Sequence, residues 1–394
     1  MTVLDLRKHY SRFLQGHEGK IHLAAHSHHF WPDVSRDGHI EYWDDCAKSS
    51  DHKWDKIFTE IIPFAQNKIA ELLQLKNPQQ IVFAPNTHEL TSRLLSLFLG
   101  RNSLKILTTD SEFHSWKRQV RRLEEFGQVQ VTWVKTDNLL SDREAFFAEL
   151  ETELKKHPDI FFISQVFFDS GLAISMEEFE DMISELSPDT MVVIDGYHGF
   201  AAIPTNLSRL EGKVFYLAGG YKYAQSGEGA AFMVIPQNHY RPSYTGWFAQ
   251  FAALSQSGQE LVGYSKDFMS FMGSTQDMSG LYRFKSVWTL FQNLELSISD
   301  IHQHVESLQA LFLQEFNEFF INQGLKLLVS QENAPHGHFL TYQASDELQA
   351  QDIENNLKKC GILIDRRGDR LRFGFGLYHV QETLMEMKKR IKNF

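Results

Sequence analysis

The sequence predicts an α/β protein with a mostly parallel sheet, followed by a smaller C-terminal α+β domain. Short unbroken apolar stretches such as Ile160–Val166 alternate with stretches of helical periodicity through the middle of the chain. Strands that are apolar at every position are typical of a parallel sheet covered by helices on both faces. The alternation stops near residue 270, and the remaining third of the chain has a different pattern. These two observations predict the fold class.

Periodicity predicts the elements of the first part in order. Apolar residues at helical spacing run over 57–72 and over 90–98, and the short apolar segment 81–84 lies between them. The elements that follow alternate between strand and helix. The predicted strands are Lys105–Thr109, Val129–Val134, Ile160–Val166, Met191–Ile194, Val214–Ala218 and Ala230–Ile235, and the predicted helices are Phe113–Phe126, Asp142–Lys155 and Met176–Leu186.

The last third of the chain predicts a separate unit with its own helices and strands. Its predicted helices are Arg283–Leu296, Ile301–Phe319 and Val380–Lys392, and its predicted strands are Phe339–Gln343, Ile362–Asp365 and Leu371–Gly374. Gly273, Ser274 and Gly280 favour a linker near 270–285. We therefore divide the chain into an N-terminal arm with a substrate-pocket loop over 1–50, a large domain over 51–272 and a small domain over 273–394.

The composition and net charge of the chain argue against several classes of protein. With 39 Lys and Arg against 50 Asp and Glu, the 394-residue chain has a net charge of −11, which disfavours nucleic acid and anionic membranes as partners. No apolar run is long enough for a transmembrane helix, and the first residues lack a secretory signal. The two cysteines, Cys46 and Cys360, exclude a disulfide scaffold and fit a reducing, cytoplasmic compartment.

Two charged residues follow neighbouring strands of the predicted sheet. Asp195 comes directly after one apolar strand, and Lys222 follows the next. Alone, the aspartate could be a helix cap and the lysine a solvated loop residue. Together they are in the order expected for pyridoxal phosphate, where the lysine forms a Schiff base and the aspartate keeps the pyridine nitrogen protonated. The glycines and tyrosines around Lys222 favour desolvation, which lowers a lysine pKa.

Three motifs carry a resemblance to a known family. The stretches Asp195–His198, Gly220–Tyr223 and Gly246–Phe248 resemble the kynureninase branch of the aminotransferase class-V enzymes, which depend on pyridoxal phosphate. The resemblance extends over most of the chain. It implies fold type I, with a mostly parallel seven-stranded sheet in a large cofactor-binding domain, and a homodimer that shares its active sites.

The resemblance also implies further contacts to the cofactor. His198 is expected near the cofactor, and the phosphate-binding turn suits the affinity of helix N-termini for anions. Asn86 could instead be a simple N-cap, and Phe113 a core aromatic. The implied contacts are Asn86, Thr87 and His88 at the phosphate-binding turn, Phe113 stacked on the ring, Tyr221 at the phosphate, and Ser274 and Thr275 reaching the second subunit's site.

On the substrate side, the resemblance implies that Arg372 binds the α-carboxylate, a role that suits the guanidinium fork. His28 and Trp247 are expected to line the substrate pocket. The cluster His26–His29 leaves a metal site, pocket lining and an ordinary loop open. No second set of ligands follows the cluster at suitable spacing, so no metal is expected.

Three functions are compatible with these residues. The first is a kynureninase-like hydrolase that cleaves Cβ–Cγ of a β-keto amino acid. The second is a class-V aminotransferase or lyase on another amino acid, and the third is a protein of this fold that binds without turnover. A cysteine desulfurase would need a cysteine in a mobile loop, which neither Cys46 nor Cys360 provides. The loop at 25–32 and Thr275 depart from the kynureninase pattern where that family reads the aryl group.

Overall fold

The computed structural model describes residues 5–101, 103–184, 186–236, 239–253, 261–329 and 335–391. The strands are β1 Ile21–His22, β2 Ile81–Ala84, β3 Leu104–Thr109, β4 Val129–Val134, β5 Ile160–Ser164, β6 Met191–Asp195, β7 Val214–Gly219, β8 Ala231–Val234, β9 Lys326–Leu327, β10 Phe339–Gln343, β11 Ile362–Leu363, β12 Asp365–Arg367 and β13 Arg370–Gly374.

Helices lie between most of these strands. They are α1 Ser11–Gly16, α2 Val34–Ser49, α3 Lys53–Lys56, α4 Ile62–Leu73, α5 Thr87–Ser96, α6 His114–Glu125, α7 Asp137–Ser141, α8 Arg143–Leu154, α9 Met176–Ser184, α10 Ser279–Asn293, α11 Ile298–Asn322, α12 Glu347–Lys359 and α13 Gln381–Ile391. A π-helical turn, Ile57–Ile61, joins α3 to α4. The predicted last helix included Lys392, which lies outside the described residues.

A seven-stranded sheet forms the centre of the larger part, in the order β2-β8-β7-β6-β5-β3-β4. β8 is antiparallel to both of its neighbours, and the other neighbouring pairs are parallel. The predicted mostly parallel sheet is therefore confirmed. β5, β7 and β8 are buried at every position, which explains why their sequences are mainly apolar. The register places Asp195 opposite Leu217, so β6 and β7 end close together at the same edge.

The remaining strands belong mainly to a second, smaller sheet. Its order is β12-β13-β10-β9, and its neighbours are antiparallel. Phe312, Phe316 and Phe320 of α11 are buried against this sheet together with Phe373 of β13. The smaller core is therefore separate from the one around the large sheet, as expected for an α+β domain.

The second half of the predicted linker near 270–285 lies in a packed helix. Residues Ser279–Phe284 of α10 are buried, and Leu281 and Phe284 belong to the core of the large sheet. The two cores meet within α11, where Ile301 belongs to the larger core and Val305 to the smaller one. The glycines that suggested flexibility serve close packing instead. The domain limits at 50 and 272 stay predictions.

The sequence did not predict helix α2. The buried residues of this helix are small, Ser35 and Gly38, so no apolar stripe marks its buried side. The described helices include none that is both long and apolar enough to cross a membrane.

Replacing Gly38 with alanine tests the contact between α2 and α10. A Cβ atom at this position would lie 2.7 Å from the carbonyl oxygen of Tyr282 and 2.5 Å from Ser286 Oγ. We expect the free energy of unfolding to fall by about 1–2 kcal/mol, because overpacking outweighs the better helix propensity of alanine. Chemical denaturation measures the change. Gly16→Ala is the control, since no atom lies within 4 Å of its added Cβ; equal stability of the two variants would contradict the contact.

Candidate active site

A cavity of about 540 Å³ opens at the edge of the large sheet where β6 ends and the loop after β7 begins. Its walls come from the large sheet, from helix starts, from the N-terminal segment and from the small domain. Many of the residues singled out from the sequence line this cavity. They are Asn86, Thr87, His88, Phe113, Asp195, His198, Tyr221, Lys222 and Arg372.

Lys222 lies in the turn after β7, and its side chain is enclosed. Gly220 allows Ser226 to pack closely against this turn, because a Cβ atom at position 220 would overlap Ser226 Oγ. The Lys222 amine hydrogen-bonds to Nε2 of His198 and lies 5.4 Å from the ring centre of Tyr197. Burial, together with the positive charge of Arg372, lowers the pKa of Lys222 to about 7, and Asp195 opposes this shift. The amine is thus substantially neutral near pH 7 and available as a nucleophile.

Asp195 ends β6 as a half-buried residue at the cavity wall. Its Oδ1 accepts a hydrogen bond from the backbone N–H of Tyr197 at 2.9 Å. Burial raises the pKa of Asp195, while the Tyr197 hydrogen bond and the charge of Lys222 act in the opposite direction. A buried carboxylate is costly unless a cation or donor faces it. A protonated ring nitrogen in the cavity would supply such a partner.

His198 lies beside Lys222 in the cavity wall. Burial, and then the charge of Lys222, hold the pKa of His198 well below its usual value, so its imidazole is neutral. Its Nδ1 is buried and has no hydrogen-bond partner among the described residues. A neutral imidazole that hydrogen-bonds to the lysine can hold its amine in a fixed position.

The N-terminal end of helix α5 forms another wall. Asn86 caps this ten-residue helix by accepting a hydrogen bond from the backbone N–H of Glu89 at 3.0 Å. Thr87 and His88 line the cavity beside the cap. The free N–H groups and the dipole of a helix start favour an anion such as phosphate. Asn86 is therefore an N-cap, as the alternative interpretation held, and the helix start that it caps is also the expected anion site.

Aromatic rings form the walls around the lysine. Phe113, which directly precedes α6, is 44% exposed, and its ring centre lies 5.8 Å from the Lys222 amine. It is therefore no ordinary core aromatic. Phe168 packs edge to face against it, with ring centres 5.6 Å apart. A planar ring in the cavity would have an exposed aromatic face to stack on.

Four residues expected at the site do not line this cavity. His28 is exposed, and its ring centre lies 5.5 Å from that of Tyr221. Trp247 packs against Phe248, with ring centres 4.3 Å apart. Ser274 and Thr275 line a second cavity of about 500 Å³. Their assignment to a neighbouring subunit, and with it the homodimer, stays a prediction.

Several residues at the site were not singled out from the sequence. Glu112 does not line the cavity itself, but it is fully buried and accepts hydrogen bonds from the hydroxyl groups of Thr109 at 2.7 Å and of the cavity residue Ser164 at 2.5 Å. Burial raises the pKa of Glu112 to about 8, so the group is largely protonated at neutral pH. The sequence signal that was available for Glu112 is its position between a predicted strand and a predicted helix, at the edge of the sheet where the cavity lies. Ser27, Ser115, Ser164, Val166, Phe168, Tyr197 and Arg367 line the cavity without having been singled out, whereas His26 lines it in agreement with one alternative left open for the histidine cluster.

The histidines of the N-terminal cluster have different surroundings in the structure. His26 is fully buried at the cavity wall, and His29 is buried against Tyr378. Within the described ranges, no group of three or more histidine, cysteine or acidic side chains is placed to hold a metal ion.

The donor set fits pyridoxal phosphate. A buried amine that is partly neutral near pH 7 suits an aldehyde, and a buried carboxyl group suits a basic ring nitrogen. The start of α5 suits a phosphate, and the exposed face of Phe113 suits a planar ring. The unpartnered Nδ1 of His198 is a further polar atom that a bound group could satisfy.

Comparison with known proteins identifies a family. Residues 34–378 match the model of the aminotransferase class-V family. No curated protein sequence matches the chain significantly.

Solved structures resemble this chain over nearly its whole length. A C-DES variant with glycine covalently linked to its pyridoxal-phosphate cofactor is 16% identical, with a TM-score of 0.80 over 98% of this chain and 99% of that one. The cystine C–S lyase C-DES, in complex with its product cysteine persulfide, gives the same identity and score over 97% and 99%. An apo cysteine desulfurase from Thermococcus onnurineus NA1 is 14% identical, with a TM-score of 0.78 over 98% and 96%. The predicted fold type I is confirmed by these matches.

The pH dependence of Lys222 reactivity tests its environment. Above pH 7 the amine has lost its proton and can attack an aldehyde, whereas below pH 7 it is mainly protonated. We expect the initial rate of pyridoxal phosphate attachment to the apoprotein to rise with pH, with a midpoint near 7 rather than 10.5. Borohydride trapping and peptide mapping at residue 222 measure the rate.

The variant Arg372→Gln provides the matched comparison. Because the charge of Arg372 lowers the pKa of Lys222, its removal should move the midpoint upward. An unmoved midpoint in this variant would show that the charge of Arg372 does not lower the pKa of Lys222, and a midpoint near 10.5 in the unmodified chain would show that the amine is not desolvated as described.

Proposed function

Because the chain belongs to the aminotransferase class-V family, we propose that it is a lyase that eliminates a sulfur group from the β-carbon of an amino acid. The family makes it a pyridoxal-phosphate-dependent enzyme. Within that family, we propose elimination of a sulfur group as the specific reaction. It is supported by the contents of the cavity and by the cystine C–S lyase among the similar structures.

The observation that carries the proposal is the position of the cysteines. Cys46 lies in helix α2, and Cys360 directly follows helix α12. Neither is among the residues that line the cavity. A desulfurase has to pass sulfur to a thiol of its own chain, so a site without a cysteine suits release of the sulfur product. The similar cysteine desulfurase therefore supports the fold and the cofactor rather than this step.

Bound pyridoxal phosphate supplies an aldehyde and an electron-withdrawing ring that stabilises negative charge on the α-carbon. Asp195 is placed to hold the ring nitrogen in its protonated form, because its buried carboxyl group favours a cationic partner. The start of helix α5 is placed to bind the phosphate. These residues fix the orientation of the reacting group.

Lys222 is the base that removes the proton from the α-carbon. Its pKa of about 7 allows it to be neutral before the transfer and cationic afterwards at physiological pH. His198, hydrogen-bonded to the same amine, positions it. When the proton is removed, the Cβ–S bond breaks and the electron pair leaves with sulfur. Hydrolysis of the remaining carbon skeleton gives pyruvate and ammonia.

Arg372 binds the α-carboxylate of the substrate in this proposal. It is 3% exposed, lines the cavity and is held on β13 of the small domain. A carboxylate bound there would lie between the two domains, close to the amine of Lys222. The same residue thus serves recognition and, through its charge, keeps the amine reactive.

The kynureninase-like hydrolase receives less support. His28 and Trp247, which were expected on the substrate side, do not line the cavity. The motifs shared with kynureninases concern mainly the cofactor, which the whole family handles alike. We therefore place the second of the three functions, a lyase on another amino acid, ahead of the hydrolase.

Turnover of L-cysteine and L-cystine by the holoenzyme tests the proposal. We expect pyruvate and ammonia in equal amounts, together with sulfide or a persulfide. Lys222→Ala should reduce the rate at least about 100-fold, because it removes the general base and the cofactor attachment. Coupled pyruvate and ammonia assays measure the products.

The double variant Cys46→Ser, Cys360→Ser is the control, and it should retain its kcat within about twofold. Loss of activity with these cysteines, or sulfur bound to either of them, would favour a desulfurase. Anthranilate from L-kynurenine would favour the hydrolase, and amino transfer dependent on a keto acid would favour an aminotransferase.

A further inference from the structure

The guanidinium group of Arg372 already has protein partners. Nη2 is paired with Oδ2 of Asp365, and Nη1 donates a hydrogen bond to the carbonyl oxygen of Phe168. Nε is buried and has no hydrogen-bond partner among the described residues. A substrate carboxylate that approaches Nη2 of Arg372 therefore competes with Asp365 for the same guanidinium group.

Asp365 is the partner that can leave. It lies directly opposite Arg372 in the antiparallel register of β12 and β13, so the fold sets the two side chains close together. Its other oxygen, Oδ1, lies 3.5 Å from Nη2 of Arg367. The carboxylate is thus shared by two arginines and can pair with either of them by rotation of its own side chain.

Arg367 offers Asp365 an alternative position. It lines the same cavity as Arg372, but its side chain is 48% exposed against 3% for Arg372. His26 also lies near, with Nε2 3.6 Å from Asp365 Oδ2. Burial, together with the charge of Arg372, keeps the pKa of His26 well below its usual value, so this ring stays neutral. The cations that compete for Asp365 are therefore the two arginines.

We propose that Asp365 is a positioning residue which occupies Arg372 in the absence of substrate and moves to Arg367 when the substrate α-carboxylate binds. The proposal rests on the proposed function, because it takes Arg372 as the carboxylate-binding residue. In both states each carboxylate has a guanidinium partner, and the buried Arg372 is never left without one. This exchange avoids the penalty of an unpaired buried charge.

The exchange makes Asp365 an internal competitor of the substrate. A neutral amide at this position still accepts a hydrogen bond from Arg372, but it competes less well with a carboxylate. Removing Arg367 has the opposite effect, because Asp365 then loses its alternative partner. The two substitutions are therefore expected to change affinity in opposite directions.

Titration of the holoenzyme with glycine tests the exchange, with the cofactor's visible absorption as the readout. Glycine has no leaving group on a β-carbon, so the result does not depend on sulfur elimination. For Asp365→Asn we expect a Kd about tenfold lower than for the unmodified chain. For Arg367→Ala we expect a Kd about fivefold higher.

The double variant separates this proposal from direct recognition by Arg367. In the Asp365→Asn background, Arg367→Ala should leave the Kd unchanged, because no charged competitor remains to be displaced. An equal effect of Arg367→Ala in both backgrounds would mean that Arg367 contacts the ligand itself, and would overturn the exchange.

Asp369→Asn is the matched control. It removes the same charge from the same hairpin, where Asp369 accepts a hydrogen bond from Gln343 at 2.8 Å and does not line the cavity. Its Kd should equal that of the unmodified chain. A Kd for Asp365→Asn that is unchanged or higher would overturn the proposal, and so would a holoenzyme that does not bind glycine at all. Loss of sulfur elimination with the glycine pattern intact would overturn the proposed function alone.

Discussion

Burial of the Lys222 amine is the constraint on which the rest of the site depends. An exposed lysine is protonated at neutral pH and is neither a nucleophile nor a base. Here the enclosed turn after β7 removes water from the amine, and the charge of Arg372 adds to the effect. Asp195 partly offsets both, so the pKa stays near 7 and does not fall further. The charges of Arg372 and Asp195, which belong to different domains, thus set the reactivity of Lys222.

The sheet provides the geometry for this balance. β6 and β7 are parallel neighbours that end at the same edge, so Asp195 and the turn with Lys222 meet without any long-range adjustment. This part of the site could be predicted, because unbroken apolar strands and the charged residues after them are local features of the sequence. The start of α5 could be predicted from the sequence for the same reason, because a strand, Asn86 and a helical stretch follow one another directly.

The substrate side could not be predicted in the same way. His26 from the N-terminal segment and Arg367 from the small domain reach the cavity only after the two cores have packed together. Helix α2 was missed because its close contact with α10 uses glycine and serine rather than an apolar stripe. The resemblance also led us to expect Trp247 in the wall of the cavity. Trp247 does not line the cavity and packs against neighbouring aromatic rings instead. Contacts of high sequence separation leave no periodic signal.

The distribution of charge explains why such a cavity can be stable before a substrate arrives. Glu112 has a raised pKa and remains largely neutral, so it adds little negative charge beside Asp195. His26 and His198 are held neutral by burial, so they add no positive charge beside Lys222. The strongest remaining charge, Arg372, is paired with Asp365 across the strands of the small domain. A substrate carboxylate therefore enters a site whose charges are already balanced, and its affinity depends on how readily that internal pair separates.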